Sequence, residues 1–141
     1  MHGYKKRTET NDIDLVYFDL NGDSRETDGE LSQKLKRKTG IKWEIVNGAY
    51  AHIRGNCPPY KSTEEVLRQW PETATCVGVR LENGRLKLVA PHGIDDLVHL
   101  VNRPTSKFLV ERVKERAKQK KWLEKWPKLK FGSPDGLSGS V

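Results

Sequence analysis

A mixed α+β domain is what the sequence predicts, on three observations. An apolar strand opens at Asp12, a hairpin signal lies at Asn83-Gly84, and capped helical spacing fills the intervals between. The 141 residues fit one domain, placed at 1–131, with a small and polar tail at 132–141 expected to be disordered.

Residues 1–10, MHGYKKRTET, are polar and show no period. The first strand covers 12–18. Strand alternation sets Ile13, Leu15 and Tyr17 on one side and Asp12, Asp14, Val16 and Phe18 on the other. Both faces are apolar beyond the aspartates, which predicts an interior strand with a charged end. Asn21-Gly22-Asp23 supplies turn chemistry. A helix is expected from about Thr27, with Thr27 and Glu30 at capping-box spacing, Leu31 and Leu35 on its buried face, and Gly40 as its stop.

Residues 41–47 and 49–54 read as two short strands hinged at Gly48. Ser62 caps a short helix with Glu65 three residues on, and Pro71 halts it after Trp70. Residues 74–91 form a hairpin around Asn83-Gly84, the preferred type I′ pair. A helix from about Ile94 to Val101 begins with Asp95 and Asp96, whose charge suits a helix N-terminus. Pro104 breaks it. Thr105 or Ser106 then caps a longer basic helix reaching Trp122 or beyond.

Apolar residues make up 35% of the chain, so the core leans on four large rings, Trp43, Trp70, Trp122 and Trp126. No apolar stretch approaches the roughly 20 residues of a membrane span. The N-terminus lacks the apolar segment of a signal peptide, and a soluble cytoplasmic protein is expected. Cys57 and Cys76 are single and distant, which predicts reduced, packed thiols. His2, His52, His92 and His99 show no metal-ligand spacing. The net charge is +7, and ten basic residues against three acidic ones lie between Lys107 and Lys130. That segment is either a solvated helix face or a contact surface for polyanions such as nucleic acid.

Asp12 and Asp14 pose a problem of charge. Two apart on a strand, they point the same way, and like charges roughly 6–7 Å apart repel by about 2–3 kcal/mol at an effective dielectric near 20. Water, a basic side chain or a metal ion must offset that cost. Paired carboxylates at a strand end are what magnesium-dependent phosphoryl transfer uses. They are also common as edge protection.

The stretches NDIDLVYFD, YKSTEEVLRQWPETATCVGVRLENGRLKLVAPHGIDDL, VNRP and WLEKWPKLK are more specific. Together they resemble a bacterial nucleotidyltransferase-like family of the polymerase-beta-type nucleotidyltransferase superfamily, from about His2 to Leu129. The resemblance implies a mixed β-sheet with helices packed on it. It also implies transfer of a nucleoside monophosphate from a nucleoside triphosphate to an acceptor, with Mg2+ or Mn2+ held by Asp12 and Asp14 as the catalytic pair. The superfamily adds a third carboxylate on a neighbouring strand. Glu44 is that group or a solvent-facing residue, and Asn47 falls where the family has asparagine. Asn47, His52, Arg54, Glu72 and Thr73 are the expected nucleotide contacts, with His52 and Arg54 on a strand beside the site. The family's glycine-rich segment precedes Met1-His2-Gly3-Tyr4 and is missing here. The expectation is therefore an N-terminally truncated fold whose activity alone is weak or absent. The alternative is a non-catalytic basic module that binds nucleotide or nucleic acid through 107–130.

Overall fold

The computed structural model describes residues 8, 12–22 and 25–136. The expectations for residues 1–7 and 9–11 and for the end of the tail at 137–141 lie outside the described residues. The α+β class is observed. Among the described residues the strands form three two-stranded ladders, two of them parallel and one antiparallel. The chain divides into two compact units, one ending at Val66 and the other beginning at Leu67.

The N-terminal unit opens with β1 (Asp12–Tyr17), α1 (Arg25–Thr39) and β2 (Lys42–Asn47). β1 and β2 run parallel, from Asp12 opposite Lys42 to Tyr17 opposite Asn47. A parallel pair needs a crossover, and α1 supplies it, packed against β2. Among the described residues β1 pairs on one side only, not as the interior strand expected. α1 begins two residues ahead of the expected cap. Its inward face is Asp28, Ser32 and Leu35, at helical spacing, while Leu31 is 37% exposed and does not belong to it. Gly40, at φ 73°, closes α1 and donates its N–H to the Lys36 carbonyl at 2.8 Å.

The second strand expected at 49–54 is a helix, α2 (Gly48–Gly55). Two features decide it. Asn47 is an extended N-cap whose side-chain oxygen accepts the Ala49 N–H at 3.1 Å. Gly48 lies so close to its neighbours that a Cβ there would come 2.9 Å from Val66 Cγ2, so only glycine lets the helix start at that point. Asn56, left-handed at φ 47°, ends it. α3 (Thr63–Arg68) begins as expected. Ser62 Oγ accepts the Glu65 N–H at 3.2 Å, and the Glu65 carboxylate reaches back to the Lys61 N–H at 2.8 Å.

In the C-terminal unit, β3 (Gly78–Glu82) and β4 (Arg85–Val89) form the expected hairpin. Asn83 and Gly84 both take positive φ, 50° and 74°, as a type I′ turn requires. α4 (Asp95–Val98) is shorter than expected, because Leu100 turns left-handed at φ 57° and releases the chain into β5 (Val101–Asn102). The single basic helix expected from Thr105 is instead a 3-10 turn at Lys107–Leu109, then α5 (Val110–Gln119) and α6 (Trp122–Lys125). The break falls at Lys121, left-handed at φ 53°. α5 buries Val113 and Ala117, four apart on one face. β6 (Lys130–Phe131) pairs parallel with β5. Of the tail, Pro134–Gly136 forms a 3-10 turn and the Ser133 carbonyl accepts from Arg103 at 2.7 Å.

Cys57 and Cys76 are both free thiols. Cys76 is fully buried, and burial pushes its pKa up to about 12. No helix among the described residues is long and apolar enough to cross a membrane.

Candidate functional site

β1 and β2 carry the charged cluster. Their register sets Asp12 opposite Lys42 and Asp14 opposite Glu44, and the period of two puts all four on one face of the ladder. Asp14 is exposed and Asp12 half-buried. Lys42 forms an ion pair with Glu44. Its pKa is raised, first by that hydrogen bond and charge, then by the charges of Asp12 and Asp14. Of the three ways to offset the aspartate repulsion, the fold thus supplies a basic side chain directly.

The donor chemistry of this face suits a hard divalent cation. Two carboxylates on one strand match magnesium, which binds one or two protein carboxylates and completes its shell with water and substrate phosphates. Glu44 stands at the register position beside Asp14 and is paired with Lys42. Among the described residues no group of three or more His, Cys, Asp or Glu is placed to hold a metal ion, so Asp12 and Asp14 stand as a pair.

The far end of the same ladder is held by Asn47. Its Oδ1 accepts from the Asp19 and Ala49 N–H groups, its Nδ2 donates to the Asp19 carbonyl, and its own N–H donates to Asp28 at 3.0 Å. The side chain is 1% exposed and fully engaged within the chain. Asp28 also accepts the Tyr17 hydroxyl at 2.8 Å. Burial, then Asp28, pushes the Tyr17 phenol up to about 12. Nothing in the sequence singled out Asp28, since an acid in a helix reads as solvated until its partners, 11 and 19 residues away, are known.

His52 and Arg54 are two apart on α2, so they project from different faces and not from one side of a strand. Arg54 is exposed. His52 stands edge-on to Tyr60 with ring centroids 6.4 Å apart, and its buried Nδ1 has no partner among the described residues.

Glu72 and Thr73 belong to the C-terminal unit and are each 1% exposed. Glu72 Oε1 accepts from Arg116 Nε at 2.7 Å, and Oε2 accepts from the Thr75 hydroxyl at 3.1 Å. The Thr73 hydroxyl donates to Asp96 at 2.6 Å, and Arg103 grips the same carboxylate through Nε and Nη2. Burial raises the Asp96 pKa, but the Arg103 and Thr73 hydrogen bonds outweigh it, and the net shift is downward. These two residues knit loops together. Beside them lies a cavity of about 580 Å³, with Glu72, Ala74, Thr75 and Asp96 among the residues that line it.

The nucleotidyltransferase family profile matches residues 1–131. The chain belongs to the nucleotidyltransferase family. No curated protein shows significant similarity to this nucleotidyltransferase. Among solved structures it is similar to an NMR structure described as a CCA-adding enzyme head domain. The two are 29% identical with a TM-score of 0.73, over 86% of this chain and 68% of the other.

Proposed function

We propose that this domain is a divalent-metal-dependent nucleotidyltransferase that moves a nucleoside monophosphate from a nucleoside triphosphate to an acceptor hydroxyl. The observation that carries the reading is the shared face of Asp12 and Asp14 beside Glu44, in a chain of this family. Asp12 and Asp14 hold Mg2+ or Mn2+, and Glu44 is the candidate third carboxylate. The chemistry supplied by the bound ion is neutralisation of phosphoryl charge and alignment of the attacking oxygen. Lys42 holds Glu44 and balances the aspartates in the absence of a cation. Arg54 is the residue proposed to contact phosphate, because its guanidinium is exposed. Asn47 contributes by fixing the strand end, and Glu72 and Thr73 by fixing the loops around them.

The test is thermal. Magnesium or manganese with a nucleoside triphosphate should raise the melting temperature by mass action. Asp14→Asn should remove that shift, together with any incorporation of labelled nucleotide, while the fold survives. An unchanged shift in the variant moves the site elsewhere.

A second reading, as a nucleic-acid-binding module, is favoured by the exposed basic side chains of α5. Arg112, Lys118 and Lys120 form no ion pair among the described residues. RNA binding through them should weaken steeply with salt, and charge reversal at Lys118 and Lys120 should flatten the slope. A slope that ignores both changes removes this reading.

A further inference from the structure

The cavity in the C-terminal unit is a separate matter from the aspartates. We propose that it is a binding site for a purine base, adenine in particular, recognised by the Asn102 carboxamide and held against Trp122 and Trp126.

Its volume of about 580 Å³ is right for a small organic ligand and ample for a nucleoside. Most of the wall is apolar: Leu97, Leu100 and Leu129 line it with the two tryptophans. Of the polar groups in the wall, Glu72, Thr75 and Asp96 are already hydrogen-bonded within the chain, and Asn102 is not. It lines the cavity at 3% exposure, and neither its Oδ1 nor its Nδ2 has a partner among the described residues. Buried side-chain amides are almost always hydrogen-bonded, so a carboxamide without partners in the wall of a cavity points to a ligand that completes it. Asn102 is held for that task by the β5–β6 pairing, where the Gly132 N–H donates to its carbonyl at 3.0 Å. Trp122 is held as well. Arg116, fixed by Glu72, lies 5.9 Å from its ring centroid.

The chemistry of the wall selects the ligand. Among the described residues no lysine or arginine lines the cavity, and the two acids that do, Glu72 and Asp96, are committed to Arg116 and Arg103. A phosphate chain would meet no cation among these described residues, which favours an uncharged ligand part. Indole rings favour a flat heteroaromatic. A carboxamide offers an acceptor and a donor side by side, matching the amino group and adjacent ring nitrogen of adenine. Guanine presents more polar edge atoms than one carboxamide can satisfy, and a pyrimidine covers less of the two rings.

The probe is adenosine, titrated into the full chain without divalent metal, so the outcome does not depend on the Asp12–Asp14 reading. Saturable binding is expected by calorimetry, with NMR shifts confined to the Trp122 and Trp126 indoles and the Asn102 side-chain amide. Asp14→Asn should bind adenosine as the parent does. Purine riboside, lacking the 6-amino group, should bind at least tenfold more weakly. Asn102→Leu should lose binding at least tenfold and melt no lower than the parent, because it removes an unsatisfied buried amide. Absence of saturation at millimolar adenosine overturns the proposal. So does tighter binding of guanosine or cytidine, or an Asn102→Leu protein that melts lower yet binds adenosine unchanged. The purine riboside comparison needs no variant and stands if Asn102→Leu fails to fold.

Discussion

The two units treat their carboxylates in opposite ways. In the N-terminal unit Asp12, Asp14 and Glu44 share a strand face with Lys42 as their basic neighbour. In the C-terminal unit Glu72 is buried and Asp96 half-buried, and each is locked to its own arginine. Charge of the N-terminal kind lies at or near the surface, within reach of solvent. Charge that is buried and paired holds the fold together, and removing one partner leaves the other stranded.

The contrast breaks first, and most visibly, at Glu72. Glu72→Ala takes the buried partner from Arg116, which is itself partly exposed, and should cost about 3 kcal/mol, the low end for a buried pair, which lowers the melting temperature by on the order of 10 °C in a chain of this size. A variant that melts within a degree or two of the parent would mean that Glu72 is not structural. Next comes Asp96. Asp96→Asn keeps the shape but weakens the grip of Arg103, at a cost of about 2 kcal/mol. The acid dependence follows from its lowered pKa. The Asp96 contribution is complete above the ordinary carboxylate pKa of about 3.9 and fades as pH falls through the lower folded value. Urea midpoints compared at pH 6 and in the acid range should show the variant losing less than the parent; parallel curves would assign the acid sensitivity elsewhere.

At the N-terminal face the expected stability change is the smallest. Asp12→Asn should move stability by no more than about 0.5 kcal/mol, or raise it by relieving repulsion. A loss above about 2 kcal/mol, on the scale of a buried pair, would erase the distinction between the units. The thiols extend the comparison. Cys57 is partly exposed, whereas Cys76 is buried with its pKa pushed to about 12. Alkylation of the native chain should modify Cys57 and spare Cys76 until the protein unfolds, as mass spectrometry would show.

What was legible in the sequence was local. Asn83-Gly84, Gly40 and the Ser62–Glu65 cap all act within a few residues, and each stands where it was expected. The pairing of Asp12 with Asp14 was equally local, because a period of two needs no tertiary knowledge. Residues 49–54 misled because a short segment with isolated polar residues fits a strand and a helix alike. The deciding facts, the closeness of Val66 to Gly48 and the cap on Ala49, lie in the packing. Glu72 and Thr73 looked like loop groups within reach of a ligand. Their burial depends on Arg116, 44 residues downstream of Glu72, and on Asp96, 23 downstream of Thr73. The break at Lys121 was hidden because lysine has no sequence signature for a left-handed turn.

The parallel pairing of β5 with β6 bears on the order of assembly during synthesis. Val101–Asn102 can find its neighbour only after Lys130–Phe131 has been made. β1, α1 and β2, by contrast, are complete by Asn47. A chain emerging from the ribosome can therefore organise its aspartate face early. It holds Asn102 as an unpaired edge until Lys130 and Phe131 arrive, so the cavity beside it is a late product of translation.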